Sequence, residues 1–102
     1  MELAKSFARD LVQQQLAAIV NIMPMESAVY MWEGQLEEDP EVLLLIYSQE
    51  CQLPSLEAYI RENHPDEEPG LAALPIVGGS SSFLDWIRNN SMSANDTGNL
   101  II

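Results

Sequence analysis

The stretch Asn63-His64-Pro65-Asp66-Glu67-Glu68-Pro69 holds the side chains best suited to chemistry. His64 is the only histidine among 102 residues. An imidazole nitrogen combined with carboxylate oxygens suits copper or zinc, which makes His64, Glu67 and Glu68 the candidate metal ligands. One histidine per chain cannot build a His-rich site. A metal here would draw on the carboxylates of the same loop, or on several copies of His64 brought together by assembly. The same residues also fit a plainer role, in which His64-Pro65 ends a helix and the imidazole sits near the negative end of its dipole.

Other groups carry weaker signals. Glu37, Glu38, Asp39 and Glu41 gather carboxylates, but without the Asp/Gly spacing of a calcium loop, so they read as a solvated turn. Cys51 stands alone, which excludes an internal disulfide and any paired-cysteine zinc motif. It has no histidine or lysine beside it in sequence and reads as an inert thiol. Gly78-Gly79-Ser80-Ser81-Ser82 precedes a helix but lacks the lysine of a phosphate loop, so a helix cap is the better reading. Two Asn-x-Ser/Thr patterns, at Asn89 and Asn95, have no secretory signal to accompany them. With a single histidine, no Ser/His/Asp arrangement can be assembled.

Composition narrows the partners. Sixteen acidic residues face four basic ones, a net charge of −12 and an isoelectric point near 4.1. Such a surface repels phosphate backbones, so no nucleic acid and no membrane surface is expected as a partner, whereas cations are attracted. No apolar run approaches the ~20 residues that a membrane-spanning helix needs. Residues 1–16 carry charges and glutamines where a secretory signal would be apolar, so the expected compartment is the cytoplasm. A chain this short forms one small domain whose limited core would gain from oligomerisation.

The elements that must position these groups follow from periodicity. Leu3, Ala4, Phe7, Ala8, Leu11, Val12 and Leu16 recur at helical spacing, with Lys5, Arg9, Gln13 and Gln14 on the other side. Residues 17–33 predict one long strand bent or bulged at Pro24, with Ala28, Tyr30 and Trp32 on one face. Gly34 to Pro40 reads as a turn. Glu41 to Ser48 reads as a strand whose apolar run, Val42 to Ile46, predicts burial on both faces. A second helix starts at Leu53-Pro54 and ends at Asn63-His64-Pro65. A strand over Leu71 to Val77 follows. Then comes a helix capped by Ser82 with Asp85 as its capping-box partner; Trp86 on it is expected in the core. Residues 1–90 form the domain, and 91–102 are expected to be a disordered tail.

With one strand added in front, this order becomes the ferredoxin-like split βαβ, an α+β fold with an antiparallel sheet, helices on one face and an extra C-terminal helix. The chain starts without that first strand. In the ferredoxin-like order it would be central, between the strands expected at Glu41–Ser48 and Leu71–Val77, and Met1 is therefore expected to be a truncated or mis-assigned start.

Six segments, in order and in register, resemble the CutA family of divalent-cation tolerance proteins. They are Leu16-Ala17-Ala18-Ile19-Val20-Asn21-Ile22-Met23-Pro24, Tyr30-Met31-Trp32-Glu33-Gly34-Gln35-Leu36-Glu37-Glu38-Asp39, Glu41-Val42-Leu43-Leu44-Leu45-Ile46, Asn63-His64-Pro65, Ala73-Leu74-Pro75-Ile76-Val77 and Leu84-Asp85-Trp86-Ile87. The resemblance implies a ferredoxin-like homotrimer whose hairpins reach across to neighbouring subunits. It also implies binding of divalent cations, copper especially, at a site containing His64, and no enzymatic activity. Tyr30, Trp32 and Glu33 become candidate interface residues. The chain departs from the family pattern at Ile19, where relatives carry cysteine, and at Asp66 and Gly70, which stand in place of an aromatic residue and a glutamate. Besides a metal-binding trimer, the sequence fits a trimeric binding or scaffold module for a small ligand or protein partner; a coupled nucleophile and base for an enzyme cannot be named.

Overall fold

In the computed structural model, residues 1–65, 70–91 and 99–101 are described. Helix α1 spans Glu2–Gln13, strand β1 Ile19–Trp32 and strand β2 Gln35–Gln49. A 3₁₀ turn over Glu50–Gln52 leads into helix α2, Leu53–Asn63. Strand β3 covers Leu74–Pro75, helix α3 Ser81–Asn89 and strand β4 Asn99–Ile101. The four strands form one sheet in the order β1-β2-β4-β3, antiparallel at each junction. This is an α+β architecture.

Apolar periodicity places α1 correctly: Phe7 and Leu11 are its buried residues. Its exit is tight, with Gln15 at φ 58 and the Leu16 and Ala17 amides donating back to the Leu11 carbonyl. Ala17 is small enough to be fully buried under that turn. Leu11, Ala17, Ile46, Leu56 and Ile60 form the main core, joining α1, β2 and α2. Pro54 lies in the first turn of α2, where its missing N–H breaks no hydrogen bond.

Helix α3 packs elsewhere. Successive strand residues point to opposite faces of a sheet. Ile46 faces α1 and α2, whereas Tyr47 meets Phe83 of α3 edge-on at 6.1 Å. Gln49, on the same face as Tyr47, donates through Nε2 to the Arg88 carbonyl at 3.0 Å. The two helices of the split motif thus share one face, and the extra helix covers the other near the end of β2.

Several expectations need correction. The bend of β1 is not at Pro24, which pairs with Val42; the register shifts between Met25 and Ala28. Glu26 and Ser27 there oppose Pro40 alone, which has no N–H to contribute to a ladder. Pro24 is tolerated because β1 is the outer strand of the sheet. The turn is not Gly34–Pro40 but only Glu33-Gly34, with φ of 50 and 79. Positive φ at both positions is the two-residue geometry whose twist matches a hairpin. Glu37, Glu38 and Asp39 are therefore strand residues.

The Val42–Ile46 run is not buried throughout. Ile46 is 2% exposed, but Val42 and Leu43 are 38% and 39% exposed, and no described strand pairs with β2 there on the side away from β1. The third strand is just Leu74–Pro75, shorter than the expected Leu71–Val77. The cap of α3 is Ser80, not Ser82, and no side-chain cap bond forms. Asp85 instead accepts from Arg88 Nη1 at 2.9 Å. Trp86 is 43% exposed, stacked on Phe83, and Ile87 is the buried residue of this helix. Of the tail expected to be disordered, Asn99–Ile101 forms strand β4, while residues 92–98 and 102 lie outside the described residues. That strand lies between β2 and β3, the place that the ferredoxin-like order gives to its first strand. Apolar Leu100 and Ile101 continue the sheet where β2 and β3 would otherwise present unmatched backbone groups.

Candidate functional site

His64 is the C-cap residue of α2, with extended backbone (φ −82, ψ 138). Its amide donates to the Ile60 carbonyl at 2.8 Å. The half-buried imidazole approaches Phe7 of α1 edge-on, with ring centroids 6.2 Å apart. Phe7 also meets Tyr59 edge-on at 5.6 Å, so one phenyl ring positions both. The Tyr59 hydroxyl donates to Asp10 Oδ2 at 2.7 Å, fastening α2 to α1. Burial, then the hydrogen bond and the negative charge of Asp10, pushes the Tyr59 phenol up to about 12. The helix-end role foreseen for His64-Pro65 is thus realised, and the imidazole is additionally held by aromatic packing.

The other two candidate metal ligands, Glu67 and Glu68, lie outside the described residues. Among the described residues, no group of three or more histidine, cysteine, aspartate or glutamate side chains could hold a metal ion. Cys51 is half-buried in the 3₁₀ turn before α2.

The second candidate region is the far half of the hairpin. Tyr30 pairs with Glu37, and Trp32 with Gln35, while Glu33 forms the turn itself. The Tyr30 hydroxyl donates to Asp39 Oδ2 at 2.9 Å, a diagonal cross-strand contact. That bond, with a little burial and the charges of Asp39, Glu37 and Glu41, raises the Tyr30 phenol above its ordinary value. Trp32, Met31 and Leu36 are 55%, 63% and 68% exposed, and Val29 is similarly open. These residues make an apolar surface at the tip of a two-stranded ribbon. Interface candidates Tyr30, Trp32 and Glu33 all fall on it, and sequence reasoning missed Val29, Met31 and Leu36. Val29 and Met31 alternate with Tyr30 and Trp32 and so lie on the opposite face, with Leu36 paired to Met31, and both faces of this ribbon are open.

A third feature is a groove of about 850 Å³ along residues 41–46 of β2, walled by Phe7, Ile60 and Leu71, with His64 at its rim. No described helix is long and apolar enough to cross a membrane.

Known proteins with this arrangement share one description. Residues 1–90 match the family model described as CutA1 divalent ion tolerance protein. The chain is 40% identical over 90 residues to the divalent-cation tolerance protein CutA of Thermus thermophilus, covering 88% of this chain and 87% of that protein. It is 38% identical over 96 residues to human protein CutA, covering 94% of this chain but 54% of the human protein. The chain spans about half the length of several curated eukaryotic relatives that it matches. Among solved structures, the Thermus thermophilus protein superimposes with a TM-score of 0.86 at 40% identity, over 89% of this chain and 88% of that one. CutA1 of Oryza sativa does so with 0.88 at 37% identity, over 92% and 86%. The fold, the hairpin and the identity across nearly all of residues 1–90 agree: this chain belongs to the CutA1 divalent ion tolerance protein family.

Proposed function

We propose that the chain acts in divalent-cation tolerance as a homotrimer that binds cations, copper among them, and does so without turnover of a substrate. The observation that carries the assembly is the hairpin tip, where Val29, Met31, Trp32 and Leu36 expose apolar surface that water disfavours. Copies that cover one another's tips remove that surface from water. The names of the relatives support the cation role, as does the charge of −12, which concentrates cations near the protein. His64 with Glu67 and Glu68, or His64 from more than one copy, supplies nitrogen and oxygen donors suited to copper. The cytoplasm is the proposed compartment.

Light scattering on the purified chain tests the assembly. A compact species near three times 11.4 kDa is expected. Copper titration by calorimetry then tests the site: saturable binding that falls about tenfold or more in His64→Ala is expected. Saturable binding untouched by that change would remove His64 from the site, and a compact monomer would remove the trimer. The trimeric scaffold without a metal role is favoured if the trimer forms and copper binding does not saturate.

A further inference from the structure

The outer strand β1 carries methionines that its packing does not use. Three of the chain's five, Met23, Met25 and Met31, fall within it. Residues 19–25 pair with 41–47 without a break, so Met23 and Met25 point to one face, opposite Leu43 and Glu41. Tyr47 shares that face and meets Phe83 of α3, whereas the two methionines are 42% and 41% exposed. Met31 is set apart by the register shift between Met25 and Ala28. Its partner Leu36 lies an odd number of residues from Glu41 on β2, and so on the other face.

Strands favour β-branched and aromatic side chains, and two thioethers in water contribute little burial. Nor is the patch a continuous apolar surface. Exposed Asn21 precedes Met23 on the same face, and exposed Glu41 stands across from Met25. What a thioether does offer in water is a soft sulfur donor, of the kind that selects copper(I) over hard cations. Pro24 fixes the backbone torsion between the two residues. Their Cα atoms, two strand steps apart, are separated by about 7 Å. Three rotatable bonds in each side chain let both sulfurs converge on one ion. Glu41, paired with Met25, has its Cβ about 5 Å from that of its partner and can add a carboxylate oxygen. Thioethers are uncharged, so this carboxylate supplies the negative charge that a bound cation needs.

We propose that Met23, Met25 and Glu41 form a surface site for a soft monovalent cation, of the copper(I) and silver(I) class. The two thioethers select the ion, and the carboxylate balances its charge. The site lies on the face of the sheet away from α1 and α2. It uses neither His64 nor assembly, and so stands independently of the metal reading above.

The test is NMR of the full chain with isotope-labelled methionine methyl groups, titrated with silver(I) in chloride-free buffer. Cys51→Ser is present throughout, because a thiol would compete for the same ion. The Met23 and Met25 signals are expected to move together and to saturate at one ion per chain, with Met31 unmoved. Met23→Leu and Met25→Leu conserve volume and so keep the fold. They identify the signals, and each is expected to weaken binding about tenfold or more. Glu41→Gln should weaken it several-fold, whereas His64→Ala and excess zinc should leave it unchanged. Unaltered binding in the leucine variants, or equal movement of Met31, would overturn the proposal by showing thioethers that act without a site. Displacement by zinc would overturn it in favour of carboxylates alone, and loss in His64→Ala would move the ion to the end of α2. Indifference to Glu41→Gln overturns the part given to that carboxylate. Still signals at millimolar silver(I) overturn the whole.

Discussion

Strand β2 passes through two different environments, and the contrast explains how this small chain is built. At its C-terminal end, Ile46 and Ser48 are buried against α1, α2 and the α1–β1 turn, and the Ser48 hydroxyl donates to the Leu16 carbonyl. At its N-terminal end, Leu36 is 68% exposed, in a ribbon held by ladder bonds and the Glu33-Gly34 turn. The base is ordered by burial of apolar area. The tip is ordered by backbone pairing and turn geometry, so it can display Met31 and Trp32 without losing its shape. An isolated two-stranded ribbon is marginal in water. Its continuity with the buried base, and any surface that covers its tip, must supply the remainder.

Breaking the base should have the largest effect. Leu56, fully buried between α2 and the core, should cost about 2–5 kcal/mol when changed to alanine. Urea denaturation would read this as a lower midpoint with an unchanged slope, and a loss below 1 kcal/mol would show that the base is less well packed than its burial implies. The tip is more sensitive at its turn than on its faces. Gly34→Ala places a side chain at φ 79 and should cost about 1–2 kcal/mol through backbone strain, although no neighbour obstructs the new methyl group. A change in denaturation midpoint as large as that of Leu56→Ala would mean that the ribbon is not separable from the base.

Tyr59→Phe sharpens the comparison within the base. Losing the hydroxyl bond to Asp10 should cost about 1 kcal/mol near neutrality. The folded state holds this phenol protonated, with its titration raised from 10 to about 12. Its contribution is therefore complete below pH 10 and is lost as the pH rises from 10 through 12. The denaturation midpoint of the unchanged chain should fall over that window, and Tyr59→Phe should flatten the fall. Trp32→Ser should have the smallest effect on the protomer, within about 0.5 kcal/mol, because the side chain is 55% exposed. Its expected consequence is a lower assembly mass in light scattering. A protomer unfolded by this change would erase the distinction between tip and base.

How much could be read in advance follows the same division. Helices α1 and α2 announce themselves through one apolar stripe each, and α2 also through Pro54 and Pro65 at its boundaries. The hairpin is legible as two strands, but the charged run Glu37-Glu38-Asp39 reads as a turn although it belongs to β2. A ribbon open on both faces leaves no apolar alternation to reveal that pairing continues. Trp86 and Ile87 are adjacent apolar residues of α3, yet only Ile87 faces the core. Helical phase decides between neighbours, and packing fixes the phase. Of the site residues, His64 as a helix end and Tyr30 and Trp32 on the hairpin tip were legible from type and position.

By itself the sequence determined the order of elements as far as α3, the acidic surface, the family likeness and the boundaries of α2. These depend on local periodicity, on Pro and Gly geometry, and on counted charge. The tertiary structure alone decided that β1 shifts register opposite Pro40, that α3 lies on the other face of the sheet, and that Asn99–Ile101 stands between β2 and β3. Each of these is a pairing between segments far apart in the chain. Such pairings are chosen by which backbone groups remain unmatched and which apolar faces remain uncovered once the rest has folded.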